Sequence, residues 1–389
     1  MAMGNIQTFF LRVSARCNLN CSYCYVFKHN DKSWKSLPPI ISEEHVIIFA
    51  NRIKEYLQNK TISCVNIIFH GGEPLLVGEN LILKYIDIIN TILSNLIKVQ
   101  YSIQTNGTLI TENFIAEADR LNIKFSLSID GPKQIHDKNR KKHNGKGSFE
   151  EVLKSIKILQ KHPNLLQGII GVIDVHSDPD EIFSFFKNNN IYNIDLLLPD
   201  ANYDRPPIYR DTSPDIYKNW LINSFNIWFN YYQDLSFGTY ENILKGILGI
   251  NELTDFFGGG ELNYLTIETD GSYHTTDILK VAYENASSIG MSLSNASIDS
   301  ALKSPKVSEY NHLLKLDDLP TVCCTCEVKD ICLGGSLPHR YSSKNGFNNP
   351  TIYCSEVKAL INHAKDKLIE QLEIEKEDLI ESKSECKIE

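Results

Sequence analysis

Short apolar runs alternate with amphipathic stretches through the first half of the chain. The runs are rich in β-branched and aromatic residues, and each ends in polar or glycine-containing residues; they read "TFFLRV", "VNIIF", "QYSIQ", "FSLSI", "GIIGVIDV" and "IDLLL". Between them, apolar residues recur at helical spacing, as in "EEHVIIFANRIKEYL". This alternation predicts βα units around a parallel sheet. Six units favour a partial (β/α)6 barrel, because a closed eight-stranded barrel commonly takes ~250 residues.

The alternation stops near Asp211. An aromatic helical stretch follows, then a predicted hairpin turning at Asp270 and Gly271, a cysteine-rich segment and a charged helical tail. We therefore expect an α/β domain over 1–211, a helical bridging region over 212–262, a cysteine-bearing domain over 263–366 and a tail over 367–389. In α/β sheets the functional side chains gather at the carboxyl ends of the strands.

Composition narrows the classes of function. The net charge of −9 over 389 residues argues against a general binder of nucleic acid or anionic membranes. The sequence has no run of ~20 apolar residues, and its start is too short and polar for a signal peptide, so we expect a cytoplasmic protein. One basic stretch, "KNRKKHNGKG", is interpreted as a solvated loop. Ten cysteines in a reducing compartment indicate metal binding or catalysis rather than disulfides.

The first cysteine group, Cys17, Cys21 and Cys24, follows the first predicted strand. Three thiolates leave a tetrahedral zinc site one ligand short. On a 4Fe-4S cluster they leave one iron open, and such an iron can hold a small chelating molecule and pass it an electron. A zinc knuckle and unrelated thiols are alternatives that the spacing leaves open.

The second predicted strand ends in "HGGEP". A glycine pair at this place is by itself only a tight turn. Together with the cysteine triplet, however, Gly71, Gly72, Glu73 and Pro74 resemble the radical SAM enzymes. That resemblance implies a 4Fe-4S cluster on the three cysteines, whose unique iron binds the amine and carboxylate of S-adenosylmethionine (SAM). It also implies that the Glu73 carboxylate is open and receives the methionyl ammonium.

The same resemblance assigns further SAM contacts. Tyr23 and Val172 match positions near the adenine, and the residues around the next strand ends match positions that read the ribose and carboxylate, with Arg140 a weaker match. The complete set of implied SAM-binding residues is Tyr23, Gly71, Gly72, Glu73, Gln104, Thr105, Asn106, Ser128, Asp130, Arg140 and Val172. The alternative for the polar residues is ordinary turn chemistry at strand ends, and for Val172 it is core packing.

A second cysteine group lies near the other end of the chain. It supplies four thiolates, enough to close a cluster with protein ligands alone, and consists of Cys323, Cys326, Cys332 and Cys354. The spacing by itself leaves a structural zinc ribbon open. Downstream of a radical SAM core it resembles the SPASM domain of peptide-modifying enzymes, and this implies an auxiliary 4Fe-4S cluster.

This second region departs from the SPASM pattern with two auxiliary clusters. Ser336 and Thr276 stand where that pattern places cysteines, and no cysteine lies between Cys64 and Cys323. The inner auxiliary cluster therefore cannot be built in the usual way. We predict one auxiliary cluster and a total of two 4Fe-4S clusters.

The segments "LLLPDANYDRPP" and "CLGGSLPHRYSSKNGFNNPTIYC" narrow the resemblance. They are similar to cyclophane-forming and His-Xaa-Ser-type peptide maturases, which are related to anaerobic sulfatase-maturing enzymes. This implies reductive cleavage of SAM to a 5′-deoxyadenosyl radical, hydrogen abstraction from a side-chain Cβ of a ribosomal precursor peptide, and a carbon-carbon crosslink to an aromatic ring. Asp277 matches the position of a proposed base in the sulfatase maturases, although it could be an exposed turn residue.

The implied partners are the precursor peptide and an electron donor such as flavodoxin or ferredoxin, with no nucleic acid and no membrane. Two other hypotheses stay open. One is a different radical SAM peptide modification, namely thioether formation, epimerisation, or oxidation of Cys or Ser to formylglycine. The other is a non-catalytic iron-sulfur or zinc protein.

Overall fold

The computed structural model describes residues 5–58, 60–250, 257 and 259–385. Six of its strands are the predicted ones, β1 (Thr8–Ser14), β2 (Cys64–Gly71), β3 (Lys98–Thr105), β4 (Lys124–Ser128), β5 (Leu166–Val172) and β6 (Asn193–Leu197). They pair in chain order, and every one of these pairs is parallel. The predicted α/β class with a parallel sheet of βα units is confirmed.

Helices connect the strands. Those of the first half are α1 (Tyr25–Lys28), α2 (Glu43–Tyr56), α3 (Glu79–Leu93), α4 (Glu112–Leu121), α5 (Lys133–Asn139), α6 (Phe149–Leu159) and α7 (Pro179–Asn188). Ser42 and Thr111 begin α2 and α4 as N-caps, since each side chain accepts a hydrogen bond from the backbone N–H three residues later. The helices bury their apolar faces against the sheet, and this packing fixes the carboxyl ends of the strands as one common edge.

The same sheet continues at both sides of the six strands. Short β7 (Ser236–Phe237) pairs with β6, while β8 (Tyr264–Ile267) pairs parallel to β1 and carries β9 (Ser272–His274) and β10 (Ser288–Ser292) in antiparallel order. The hairpin predicted at Asp270 and Gly271 joins β8 to β9. One sheet of order β10-β9-β8-β1-β2-β3-β4-β5-β6-β7 results, so the carboxyl-terminal hairpin lies directly beside β1 and its cysteine loop.

The remaining helices are α8 (Ile216–Tyr231), α9 (Gly238–Ile247), α10 (Ile298–Leu302), α11 (Pro305–Leu313), α12 (Thr321–Cys324), α13 (Lys329–Cys332) and α14 (Cys354–Glu385). The aromatic stretch forms α8, as predicted, and packs against α14. Residues 251–256 and 258 of the predicted bridging region, and 386–389 of the predicted tail, lie outside the described residues. The domain boundaries themselves stay predictions. Within the described ranges no helix combines the length and apolarity needed to cross a membrane.

Candidate active site

The three cysteines of the first group lie in the loop between β1 and α1, at the carboxyl edge of the sheet. Backbone contacts fix this loop to the end of β2. Gly72 N donates to Ser14 O at 2.8 Å, and Glu73 N donates to Arg16 O at 2.9 Å. A Cβ on Gly71 would lie 2.2 Å from Ser14 O, and a Cβ on Gly72 would lie 2.4 Å from Arg16 O. The glycine pair therefore allows the two backbones to meet, and this contact positions the cysteine loop.

Glu73 is fully buried. Its carboxylate accepts hydrogen bonds from Leu75 N at 2.9 Å, Thr105 Oγ1 at 2.6 Å and Asn106 N at 2.8 Å. Burial raises the pKa of Glu73 to about 7, although these hydrogen bonds act in the opposite direction. The expectation that this carboxylate is open is therefore wrong, since protein donors already hold it and tie the end of β2 to the end of β3. Its contact with SAM stays a prediction.

All nine cysteines among the described residues are free thiols. Burial raises the pKa of Cys17 to about 12 and that of Cys21 to about 11, and it also raises the pKa of Cys24. The charge of Cys17 would be felt by both other thiols, which places the three close together. Buried thiols in such proximity favour a bound metal group, because a metal displaces their protons and balances the resulting charge.

Across the described ranges, no three His, Cys, Asp or Glu side chains converge as ligands of a single metal ion. This does not conflict with a 4Fe-4S cluster, because such a cluster binds each thiolate through a different iron and the sulfur atoms stand apart. Three half-buried thiols on one loop fit that donor set, and they would hold the cluster with one iron open.

A second group of predicted residues converges around Asp130. Its carboxylate accepts from Tyr23 Oη at 2.5 Å, from Arg140 Nε at 2.9 Å and from Val172 N at 3.0 Å. The Arg140 guanidinium lies over the Tyr23 ring, 5.4 Å from its centroid. Burial disfavours the charge on Arg140, but Asp130 outweighs it and raises the pKa of the guanidinium above its ordinary value. Residues from four separate segments thus form one buried cluster beside the cysteine loop.

The remaining predicted SAM contacts lie at the ends of β3 and β4. Gln104 Nε2 lies 3.3 Å from Ser128 Oγ. Asn106 Nδ2 donates to Asn18 Oδ1 at 2.9 Å and lies 3.7 Å from Cys17 Sγ. Asn106 therefore connects the β3 edge directly to the first cysteine. Asn18 had no role assigned from sequence, and the structure makes it part of this connection.

Asp277 belongs to a buried group of charges that we call the charge cluster: Arg12, His70, Glu268, Asp277 and Lys280. Arg12 donates to Asp277, and its Nε lies 3.2 Å from Glu268 Oε1. Lys280 Nζ forms an ion pair with the same oxygen of Glu268 at 2.8 Å. Burial acts to raise the pKa of Asp277, but Arg12 prevails and lowers it. Burial lowers the pKa of His70 to about 4, so at neutral pH this imidazole is uncharged. The charge cluster is therefore balanced, with two cations and two carboxylates.

The alternative interpretation of Asp277 as an exposed turn residue is wrong, because the residue is 8% exposed. Tyr25, which follows Cys24, donates its hydroxyl to Asp277 Oδ2 at 2.8 Å. Sequence analysis assigned no role to Tyr25, Arg12, Glu268 or Lys280. The available signal was a charged residue inside an apolar strand, Arg12 within "TFFLRVS", since such a residue needs a partner when buried.

In the second cysteine group, Cys323 lies on α12, Cys326 in the turn after it, Cys332 at the end of α13 and Cys354 at the start of α14. Burial raises the pKa of Cys323 to about 11 and that of Cys332 to about 12, and the nearby thiols of Cys354 and Cys326 raise both further. The fold thus brings together all four predicted thiols, a complete donor set for one cluster. Thr276 is buried and shares a hydrogen bond with Tyr264 Oη. A hydroxyl contact within the hairpin therefore occupies one place where the SPASM pattern has a cysteine.

We predict that Gly72→Ala destabilises the site. Its Cβ would overlap Arg16 O, so the cysteine loop must move away, at a cost of about 2 kcal/mol or more in the free energy of unfolding. Denaturant unfolding and the iron content after anaerobic reconstitution measure both effects. Gly238→Ala is the control, because its Cβ would meet Asp195 only at ordinary distances of 3.6 Å and beyond. Wild-type stability and iron content in Gly72→Ala would contradict the proposed backbone contact.

We also predict that Arg12→Met lowers the free energy of unfolding by about 3–5 kcal/mol, because it leaves buried carboxylates without their cation. Arg120→Met is the matched control. Arg120 forms an exposed pair with Glu117 at 2.9 Å, and its loss should cost less than about 1 kcal/mol. Denaturant unfolding of both variants is the measurement, and equal effects would refute the charge cluster as a structural element.

Comparison with known proteins agrees with this architecture. Residues 11–186 match the radical SAM superfamily. The chain is 27% identical over 379 residues to the cysteine-type anaerobic sulfatase-maturating enzyme of Clostridium novyi, covering 94% of this chain and 97% of the relative. It is 28% identical over 233 residues to the radical SAM cyclopropyl synthase TigE of Paramaledivibacter caminithermalis, covering 57% of this chain and 46% of the relative.

Among solved structures, native anSMEcpe with bound AdoMet superposes with a TM-score of 0.80 at 23% identity, covering 93% of this chain and 98% of the other. At that identity the likeness shows the fold, over nearly the whole length of both chains. The family match places a radical SAM domain over residues 11–186, and the similarity of nearly the whole chain to anaerobic sulfatase-maturating enzymes indicates that it is an enzyme.

Proposed function

We propose that the chain is a maturase of a ribosomally made precursor peptide, and that it joins a side-chain Cβ of that peptide to an aromatic ring. The observation that carries this proposal is the separation of the thiols into two groups. Three lie at the carboxyl edge beside the Asp130 cluster, and four lie together on α12, the turn after it, α13 and the start of α14. The first group leaves an iron open for a cofactor, whereas the second suits electron transfer.

The residues fit two cofactors. Cys17, Cys21 and Cys24 would hold the SAM-binding cluster, and the second cysteine group would hold one auxiliary cluster. When bound, the first cluster and SAM supply a 5′-deoxyadenosyl radical, which removes a hydrogen atom from an unactivated carbon. The protein's part is orientation. Asp130 fixes Tyr23, Arg140 and the backbone of Val172 in one arrangement, so a ligand next to the cysteine loop would meet preset donors and rings.

The crosslinking reaction conserves atoms and electrons. One C–H bond of the side chain and one C–H bond of the ring are lost, and one C–C bond forms. One hydrogen atom leaves with 5′-deoxyadenosine, and the ring carbon then gives up one electron and one proton. The auxiliary cluster would take the electron, and Asp277 would take the proton. Its pairing with Arg12 favours the ionised carboxylate that a base requires.

A second candidate is oxidation of a peptide Cys to formylglycine. It is favoured by the similarity to the Clostridium novyi enzyme over nearly the full length of both chains. The absence of any cysteine between Cys64 and Cys323 counts against it, because the inner auxiliary cluster of those maturases then lacks its ligands. The two products differ in chemistry, since formylglycine carries an aldehyde and the crosslink does not. A thioether would also lack two hydrogens and is distinguished by the bond position in fragment spectra, whereas epimerisation leaves the mass of the peptide unchanged.

The remaining expectations belong to this proposal. The partners would be the precursor peptide and a flavodoxin or ferredoxin, and the enzyme would act in the cytoplasm. Co-expression with the precursor peptide tests the reaction itself. A crosslinked product lacks two hydrogens, and fragment spectra locate the bond between a Cβ and an aromatic ring. A product that reacts with hydrazides would support formylglycine instead.

We predict about eight irons per chain after anaerobic reconstitution, by the arithmetic of two four-iron clusters, and formation of 5′-deoxyadenosine from SAM with dithionite. Cys323→Ala should lower the iron content to about four. The adjacent and exposed Cys324 gives a matched control, and Cys324→Ala should keep about eight. About twelve irons per chain would refute a single auxiliary cluster. A failure to cleave SAM would favour a non-catalytic iron-sulfur or zinc protein.

We predict that Asp277→Asn uncouples the reaction. The amide cannot accept the proton, so crosslinked peptide should fall by about 10²-fold or more, while 5′-deoxyadenosine still forms. Asp270→Asn, in the exposed turn of the same hairpin, should leave both products unchanged. Chromatography of the nucleoside and mass spectrometry of the peptide measure the two yields. A parallel loss of both products would assign Asp277 to the structure of the site rather than to proton transfer.

A further inference from the structure

The basic stretch "KNRKKHNGKG", which we call the basic loop, spans residues 138–147, from the last two residues of α5 through buried Arg140 to an exposed turn at 143–146. Five of its ten residues are Lys or Arg and none is Asp or Glu, in a chain whose net charge is −9. The sequence interpretation of this stretch as a solvated loop accounts for its exposure but not for its position. In the structure the basic loop packs directly against the cysteine loop.

Several contacts connect the two loops. Asn20 N donates to Lys141 O at 2.6 Å, and Ser22 N donates to Asn139 O at 3.2 Å. The two loops are also paired through a β-bridge between Leu19 and Lys142. His143 Nε2 lies 3.0 Å from the carbonyl oxygen of Cys17, to which it donates. The basic loop therefore covers the outer side of the segment that carries the first cysteine group.

Two cations of the basic loop have no carboxylate to neutralise them. Arg140 is buried against Asp130, Lys138 pairs with Asp174 at 2.6 Å, and Lys142 pairs with Glu151. Lys141 and Lys146 are exposed, and no described carboxylate lies within ion-pair distance of either. An unneutralised positive patch on an acidic protein attracts an acidic partner locally, whereas the rest of the surface repels it.

We propose that the basic loop is the docking surface for a small acidic protein that carries one electron to the cluster on Cys17, Cys21 and Cys24. This rests on the proposed function, in which that cluster must be reduced before SAM is cleaved. The carrier loses one electron and the cluster gains it, so no bond is made or broken. The hydrogen bond from His143 to the Cys17 carbonyl gives a short route from the docked surface to a cluster ligand.

An acidic segment of the precursor peptide is the competing occupant of this patch. The position of the basic loop favours the carrier. Its exposed Lys141 and Lys146 lie outside the cysteine segment, while Asp130 and the charge cluster are buried within the fold, where a peptide carbon would have to be presented to the radical. A chemical reductant separates the two occupants. It replaces the electron carrier, whereas the precursor peptide is still needed as substrate.

The test uses the reconstituted full chain and an acidic flavodoxin as the probe. The double variant Lys141→Glu/Lys146→Glu replaces attraction by repulsion at the basic loop. Since both side chains are exposed and the loop contacts run through the backbone of Lys141, the substitutions leave those contacts in place. Calorimetric titration at low ionic strength should show flavodoxin binding weakened about ten-fold or more. The difference from wild type should shrink as salt is added, because salt screens exposed charges.

The control is Lys54→Glu/Lys98→Glu, which changes the net charge equally. Lys54 is exposed on α2. Lys98 is the first residue of β3, so it lies at the amino ends of the parallel strands, opposite the carboxyl ends where the cysteine loop lies. We expect the control to weaken binding by less than about three-fold, because its charges lie away from the proposed surface. Equal weakening in both double variants, or no weakening in either, would overturn the proposal.

Turnover separates this proposal from the proposed function. With flavodoxin as reductant, 5′-deoxyadenosine formation by the basic-loop variant should slow in parallel with its binding, and with dithionite it should match wild type. A raised KM for the precursor peptide under dithionite would assign the patch to the peptide and overturn the docking role. If wild-type protein forms no 5′-deoxyadenosine with dithionite, the proposed function fails, and the flavodoxin titration still reports on the surface by itself.

Discussion

The close approach of two backbones at the carboxyl edge of the sheet determines the geometry of the whole site. Gly71 and Gly72 lie against Ser14 and Arg16 at distances that no side chain could occupy. Because the cysteine loop begins at this point, contacts with the end of β2 fix its position. Glu73 extends the same connection to β3 through Thr105 and Asn106. These backbone contacts order the segment that carries the three thiols, which reduces the ordering cost of binding a cofactor there.

The surroundings of two buried carboxylates shift their pKa values in opposite directions. Glu73 has hydrogen-bond donors but no adjacent cation, so burial dominates and raises its pKa to about 7. Asp277 is buried as well, yet Arg12 outweighs the effect of burial and lowers its pKa. A lowered pKa makes Asp277 a weak base. In the proposed reaction this is sufficient, because a ring carbon that has lost an electron is strongly acidic and needs an ionised acceptor more than a strong one.

Local pattern predicted most of the fold. The six strands, the hairpin at Asp270 and Gly271 and the helices α8 and α14 all follow from period and turn chemistry, which act over a few residues. The spacing of the cysteines also predicted two ligand groups, and their role as cluster ligands stays a prediction. The burial of Glu73 was missed, because two of its three donors, Thr105 and Asn106, come from the end of the next strand and no local signal reveals them.

The charge cluster was also missed, because its residues are even further apart in the sequence. Arg12 and Asp277 are 265 positions apart, and they meet only because β8 pairs with β1. The sequence predicted the hairpin but not which strand it would join. A buried arginine in a strand indicates that a carboxylate must exist nearby, without indicating which one. Long-range pairing is therefore the part of this site that single-sequence patterns cannot supply.

The two thiol groups also differ in how the fold depends on them. The first group lies on a loop that backbone contacts already hold. The second connects three short segments, α12, α13 and the start of α14, whose buried thiols carry raised pKa values at Cys323 and Cys332. Four such thiols are stable as neighbours when protonated, but only a bound metal group turns their proximity into a link between segments. By contrast, the hairpin at Thr276 is held by sheet pairing and a hydroxyl contact with Tyr264, so this region keeps its form without cysteines. Sheet pairing and the hydroxyl contact therefore stabilise the hairpin in place of cysteine ligands to an inner auxiliary cluster. Removal of the second cysteine group, by contrast, should loosen the carboxyl-terminal region.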